Sequence, residues 1–287
     1  MRKFGIEIEF NETDSNGRTV PMETIISALN AAGIPSVREG SRFDPHGTAW
    51  NMKTDGSCGY ELVSPALTMD DAANLIPLAC NALRTLDLRT DSRCGLHVHI
   101  SGFGNAPMHT LRNVARRIVN FEDTLDLIQP RARRGNASQY CRSNMLAHGA
   151  NNVEANASIW SKVHLCKSYA ALIELFNPIT YRCEENSRRY HKLNLLNLNN
   201  ADENKRTMEV RHGAGSINPE TIVHWVRFLD AFVNVAMEQE RLWRRPSDTE
   251  ETQAVRFKKM TRGVPATTAK YLRRMATANN GGIDPFA

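Results

Sequence analysis

The sequence predicts an α+β fold, with an antiparallel or mixed sheet covered by helices on one face. Three observations predict it. Segments with period-two alternation gather toward both ends of the chain. Helical segments lie between them, without a regular βαβ alternation. Several strands alternate apolar with charged residues, so one sheet face is apolar and the other polar.

Residues 4–10 read as a strand, because Phe4, Ile6, Ile8 and Phe10 alternate with Gly5, Glu7 and Glu9. A helix follows from Pro21 to Ala32, with Met22, Ile25, Ile26 and Leu29 as its apolar stripe. Pro21 suits its start and Gly33 its stop. Residues 49–53 and 59–63 read as strands around the turn Thr54-Asp55-Gly56-Ser57. Thr68 caps a helix to about Leu86, with Asp70 and Asp71 in its first turn and an expected kink at Pro77. Residues 95–101 read as a strand. A long helix spans 107–128, with Leu111, Val114, Ile118, Phe121 and Leu125 on one face. Residues 130–187 are polar and weakly periodic apart from a short helix near 168–176, and read as an insertion. Strands follow at 191–198 and 206–211, then a helix from 219 to about 239 that Asn218-Pro219 opens. Beyond Arg244 the chain is basic and less patterned. The expected organisation is a catalytic domain over 1–240, with 130–187 as a variable insertion, and a basic extension over 241–287.

The 287 residues are 41% hydrophobic and 23% charged, an ordinary globular composition with enough chain to bury a core. No run approaches the roughly 18 apolar residues of a membrane span. Glu7 and Glu9 interrupt what would be the apolar core of a signal peptide, so the chain is expected in the cytoplasm. The six cysteines form no C-x-x-C pair, which argues against zinc ribbons and thioredoxin-like chemistry. In a reducing compartment they are expected as free thiols. Net charge is +5, and residues 241–274 hold ten basic against three acidic side chains.

The polar strand positions carry the chemistry. Glu7 and Glu9 point the same way, about 6.5–7 Å apart along the strand. Two such carboxylates repel unless a cation sits between them, although on this strand alone they also read as a solvated face. The pattern then recurs. His97 and His99 share a face, as do Glu209 and Arg211. Asn194 is polar amid Lys192-Leu193-Asn194-Leu195, and Glu61 lies in Tyr60-Glu61-Leu62-Val63. Groups of this kind on one sheet face suit hard cations and phosphates. Oxygen donors favour magnesium or manganese over zinc, and Arg211 suits bidentate grip of a phosphate or carboxylate.

Five segments together resemble the amidoligases of the carboxylate–amine ligase superfamily, relatives of glutamine synthetase and glutamate–cysteine ligase. They are Phe-Gly-Ile-Glu-Ile-Glu-Phe (4–10), Asp-Gly-Ser-Cys-Gly-Tyr-Glu-Leu-Val-Ser-Pro (55–65), Cys-Gly-Leu-His-Val-His-Ile (94–100), Arg-Tyr-His-Lys-Leu-Asn-Leu (189–195) and Thr-Met-Glu-Val-Arg-His-Gly-Ala-Gly-Ser-Ile-Asn-Pro (207–219). Their order agrees with the family. The resemblance implies a curved, mainly antiparallel sheet like the glutamine synthetase catalytic domain, helices on its convex face, and ATP with Mg2+ or Mn2+ on its concave face. It implies amide-bond formation through an acyl phosphate between small-molecule or peptide carboxylates and amines. It further implies Glu7, Glu9, Glu61, His97 and Glu209 as metal ligands and His99 as a nucleotide contact. Arg211 would stabilise the phosphoryl group, with Glu209 beside it in catalysis. Asn194, Arg188, Arg189 and Asp55 would be weaker nucleotide or substrate contacts. The chain is much shorter than glutamine synthetase and lacks its N-terminal domain, so substrate choice and assembly do not carry over.

Other readings rank lower. A metal-dependent hydrolase is the runner-up, with a zinc version on His97 and His99. A degenerate relative would bind nucleotide or nucleic acid without turnover. Arg244-Arg245 and Lys258-Lys259 with Trp243, Phe257 and Tyr271 could serve nucleic acid, but read more simply as a solvated tail. Arg131, Arg133, Arg134 and Arg142 could line a substrate entrance or an exposed loop. Cys94 and His97 point to opposite strand faces, which disfavours a cysteine nucleophile. No G-x-x-x-x-G-K-[ST] loop occurs, so a P-loop ATPase is excluded.

Overall fold

The computed structural model describes residues 2–41, 47–146, 159, 161–179, 187–238 and 251–287. The chain divides into two units, Met1–Ile100 with Gly213–Val226, and Ser101–His212 with Arg227–Ala287. The fold is α+β and its strands are mainly antiparallel, as the sequence predicts.

In the first unit the strand order is β2 (Ser36–Arg38), β3 (Trp50–Asp55), β4 (Gly59–Val63), β1 (Phe4–Phe10), β5 (Gly95–Ile100). Among the described residues of this unit, β2 and β3 pair in parallel and the other pairs are antiparallel. The apolar side of β1 is fully removed from water, with Phe4, Ile6, Ile8 and Phe10 all buried. They join the buried stripes of α1 (Met22–Ala31) and α2 (Met69–Thr85) in one core. Thr68 begins α2 with a capping box, its hydroxyl accepting from the Asp71 amide while the Asp71 carboxylate accepts from the Thr68 amide. Such a cap stabilises a helix by about 1 kcal/mol. The helix runs on through Pro77.

Register decides what shares a face. Glu9 lies opposite Glu61 on β4, and Glu61 lies opposite Lys53 on β3. Glu7 lies opposite His97 and Gly5 opposite His99 on β5. Because side chains directly opposite one another leave a sheet on the same side, these residues line one face.

The second unit contains α3 (Met108–Asn120), α4 (Glu122–Ile128), α5 (Tyr169–Phe176), the short pair β6 (Leu193–Asn194) and β7 (Met208–Ala214), and α7 (Gln253–Met260) and α8 (Ala266–Asn279). Between them α6 (Pro219–Met237), like β7, carries the chain across the boundary of the two units.

Three secondary-structure expectations differ from what is found. The helix expected over 107–128 is two helices, parted at Phe121, whose ring packs edge-on against Phe232 at 6.1 Å. The strand expected over 191–198 shrinks to two residues and a 3-10 turn over Leu196–Asn199. Asparagine side chains take over the amides that a ladder would use: Asn177 Oδ1 accepts from Leu195 and Asn194 Oδ1 from Leu196. The tail read as unpatterned holds α7 and α8, with Phe257 stacked on Phe286 at 4.2 Å and Arg256 bonded to Asp123. There Lys259 pairs with Glu251, while Trp243, Arg244 and Arg245 lie outside the described residues. Of the four arginines read as lining a substrate entrance or an exposed loop, Arg131 is exposed and the other three bond to carbonyls. Arg133 donates to the Arg211 carbonyl, Arg134 to those of Gln129 and Asn279, and Arg142 to that of Ser187.

Candidate functional site

Within the first unit, residues separated by up to 92 positions meet on one face. Glu9, Glu61 and His97 are each 5% exposed or less, so their charges are withdrawn from water and must be matched locally. His97 Nδ1 lies 2.9 Å from Glu7 Oε2, and its Nε2 lies 3.3 Å from Glu9 Oε1. His99 Nε2 lies 2.9 Å from Glu7 Oε1. The Gly95 amide donates to Glu9 Oε2 at 2.5 Å. Gly95 is the position opposite Glu9, and with no side chain there the carboxylate reaches the backbone. At Gly5, a Cβ would stand 3.4 Å from His99 Cβ, so glycine leaves that ring room to approach Glu7.

The electrostatics are those of carboxylates crowded together away from water. Burial pushes the Glu61 carboxyl up to about 9, the neighbouring Glu7 charge and hydrogen bond add to that, and Lys53 opposes it. Burial raises Glu7 too, but hydrogen bonds and charge from His97 and His99 prevail and hold it well below the usual range. Lys53 Nζ is 2.9 Å from Glu61 Oε2. Glu7, Glu61 and His97 offer ligand atoms that all lie within 4.8 Å of one another. Oxygen-rich donors with one imidazole at that spacing fit a hard divalent cation such as Mg2+ or Mn2+.

The second unit holds the other group of expected residues. Glu209 and Arg211 alternate on β7, and their side chains meet, with Arg211 Nη1 donating to Glu209 Oε1 at 2.5 Å. Asn194, opposite Glu209 on β6, donates to its Oε2 at 2.6 Å. The Arg211 guanidinium also lies 5.7 Å from the centre of the Tyr190 ring. Arg189 is exposed and sits 5.2 Å from the same ring. Arg188 is committed elsewhere, to Glu174 at 2.7 Å and the Asn177 carbonyl at 2.8 Å. Asp55 is likewise engaged in the β3–β4 turn, where it accepts from the amides of Ser57 and Cys58 at 2.8 and 2.9 Å. Behind β7 is a buried network. Lys192 Nζ reaches Asp126 at 2.5 Å and Glu122 at 3.4 Å, and His212 Nε2 lies 2.6 Å from Asp126.

Two features escaped the sequence reading. Lys53 was legible, since it alternates with the apolar Trp50 and Met52 on β3 and so belongs to the polar face. Tyr190 is different, since no periodic signal in the sequence places its ring beside Arg189 and Arg211. One expectation is overturned: Cys58 and Cys94 form a disulfide, so they are not free thiols. Strand pairing explains why. β4 and β5 flank β1 on either side, and the turn before β4 and the start of β5 come together beyond its end, where both sulfurs contact Asn11. Cys80, Cys141 and Cys166 are buried and free, and Cys183 lies outside the described residues. Among the described residues no helix is long and apolar enough to cross a membrane.

Comparison with known proteins gives the class. The chain belongs to the amidoligase family, since the family model described as "Putative amidoligase enzyme" matches residues 1–233. Its activity class is therefore amide-bond-forming ligation. Two solved structures share a coarse likeness. "Crystal structure of novel glutamine synthase homolog" is 13% identical with a TM-score of 0.45, over 99% of this chain and 68% of that one. "Apo GmaS without ligand" is 11% identical with a TM-score of 0.42, over 98% and 70%. No curated protein matches the sequence.

Proposed function

We propose that this chain is an ATP-dependent carboxylate–amine ligase that works through an acyl phosphate and uses Mg2+ or Mn2+. The single observation that carries the reading is the convergence of Glu7, Glu9, Glu61, His97 and His99 on one sheet face, with three of their ligand atoms within 4.8 Å of one another. A carboxylate is a poor electrophile, and transfer of the γ-phosphoryl group of ATP to it supplies a leaving group that an amine then displaces. Bound divalent ions would neutralise phosphate oxygens and align the in-line attack.

The chain's own residues divide that work. Glu7, Glu9, Glu61 and His97 would hold metal, and the hydrogen bond from Gly95 fixes the angle of Glu9. Glu209 is proposed as a further ligand, kept in place by Asn194. Arg211 cannot lose its proton, so it would meet the charge of the phosphoryl group in flight. His99, Asn194 and Arg189 would contact nucleotide or substrate. Arg188 is the weakest candidate, since Glu174 already holds it. In this reading 1–240 is the catalytic domain, 130–187 the variable insertion that sets substrate choice, and 241–287 a basic extension. The partners are small-molecule or peptide carboxylates and amines, in the cytoplasm where ATP is plentiful.

The test is ADP and phosphate release across pools of amines and carboxylates with ATP and Mg2+. Release that requires both an amine and a carboxylate supports the ligase. Release with either alone, or hydrolysis of an amide without ATP, favours the metal-dependent hydrolase and sinks it.

A further inference from the structure

We infer that Lys53 is a built-in cation of the carboxylate cluster, standing where a second divalent ion would otherwise bind, so that the cluster in the first unit takes one metal ion rather than two. The inference rests on the metal-site reading above and goes beyond it.

The argument starts from register. Three residues lie side by side on neighbouring strands: Glu9 on β1, Glu61 on β4 and Lys53 on β3. The Lys53 ammonium sits 2.9 Å from Glu61 Oε2, on a carboxylate that is almost wholly buried. Only about a quarter of the Lys53 side chain is exposed (27%), so the ammonium is part of the cluster and not a solvated surface charge. A divalent ion on that same oxygen would stand against a fixed positive charge at contact distance. In a site screened from water that repulsion is severe. Lys53 therefore leaves Glu61 one oxygen for metal. Glu7 on β1 and His97 on β5, strands on the opposite side of β4 from β3, supply the other ligand atoms.

Charge balance agrees. With both imidazoles neutral, the form in which histidine ligates a metal, Glu7, Glu9 and Glu61 bring three negative charges when ionised. One divalent ion together with one ammonium neutralises them, whereas two divalent ions and the ammonium would leave a buried surplus of positive charge before any phosphate arrives. The lysine is placed by the fold itself, because β3 must present alternate residues to each face and Trp50 and Met52 occupy the buried one.

The test counts Mn2+ bound per full-length chain at pH 8 without nucleotide, by electron paramagnetic resonance of the free ion. Lys53→Met and Lys53→Gln remove the charge, and Lys53→Arg keeps it. Circular dichroism checks that each variant is folded, and the two neutral variants guard against one that is not. The expected result is one additional Mn2+ per chain in both neutral variants, none in Lys53→Arg, and loss of the additional ion when Glu61→Gln is added to Lys53→Met. Equal stoichiometry in the wild type and both neutral variants would overturn the role given to Lys53. Failure of the metal-site reading has a separate signature: wild type and Glu9→Gln would bind the same number of ions with the same affinity.

Discussion

The imidazole of His97 meets the carboxylate of Glu7 at 2.9 Å, directly across the β1–β5 pair. Its other ring nitrogen faces Glu9 at 3.3 Å. One buried ring thus separates two carboxylates that strand geometry forces onto the same face. In the proposed metal-site reading the same ring and carboxylates would form a ligand set.

Replacing His97 with Ala removes the bridge and leaves Glu7 and Glu9 facing each other. Leaving buried carboxylate oxygens without their hydrogen-bond partner costs on the order of 1–3 kcal/mol. The metal-free variant should melt well below the wild type, and millimolar Mn2+ should recover part of the difference. Thermal unfolding with and without Mn2+ measures this; an unchanged metal-free melting temperature would show that the ring does not balance these carboxylates.

Glu9→Gln and Glu209→Gln preserve shape and remove charge. Each should abolish Mg2+-dependent ATP turnover, with circular dichroism and melting curves close to wild type. Loss of a ligand or of its supporting contact commonly costs at least 10–100-fold in metal affinity or activity. Full turnover in both variants would end the metal-site reading.

Acidification should weaken the second unit through His212. Burial and the nearby Lys192 charge push this imidazole down to about 4, against the opposing pull of Asp126. The folded form therefore refuses a proton that the unfolded chain accepts below about 6.5. The stabilisation is complete above that value and is lost as pH falls toward 4, a contribution on the order of 3 kcal/mol. Asp126, held down at about 2 despite its burial by His212 and Lys192, titrates below this window. Melting temperatures at pH 7 and pH 4.5 should differ strongly in the wild type and much less in His212→Asn. Parallel slopes would count against the assignment.

Reduction should destabilise the first unit. The Cys58–Cys94 bridge closes a sequence separation of 36 residues, for which chain entropy predicts about 3–4 kcal/mol. Denatured protein should titrate two further thiols after treatment with dithiothreitol, and the reduced form should melt lower, as should Cys58→Ser. An identical thiol count before and after reduction would contradict the bridge.

Gly215→Ala tests a close backbone approach. The Gly215 amide donates to the Cys94 carbonyl at 2.9 Å, and an added Cβ would stand 2.5 Å from Cys94 Cβ. Accommodating it must shift backbone at the start of β5, at about 1–3 kcal/mol. Chemical denaturation reads the loss; a stability equal to wild type would mean that this segment adjusts freely.

The legible part of the chain was the part governed by local rules. Period-two alternation marked β1, β4 and β5 because their apolar residues face a core on one side only. The Thr68 cap announced α2. Where long-range partners replace local ones, the signal fails. β6 is short because Asn177 and Asn194 satisfy the amides that follow it. The helix break at Phe121 coincides with packing against Phe232, more than a hundred residues away in sequence. α7 and α8 lie among so many basic residues that their apolar stripes are diluted, yet Phe257, Met260, Tyr271 and Leu272 are buried.

The same division holds for the site. Composition and alternation alone chose which residues share a strand face, so Glu7 with Glu9, His97 with His99, and Glu209 with Arg211 could be paired on paper. Alternation is a property of one strand and says nothing of its neighbours. Strand order and register decided that Glu61 stands beside Glu9, that Lys53 reaches Glu61, that His97 falls between two carboxylates, and that Cys58 finds Cys94. Those choices belong to the packing of the whole domain, because only burial of the opposite, apolar face selects one register over the next.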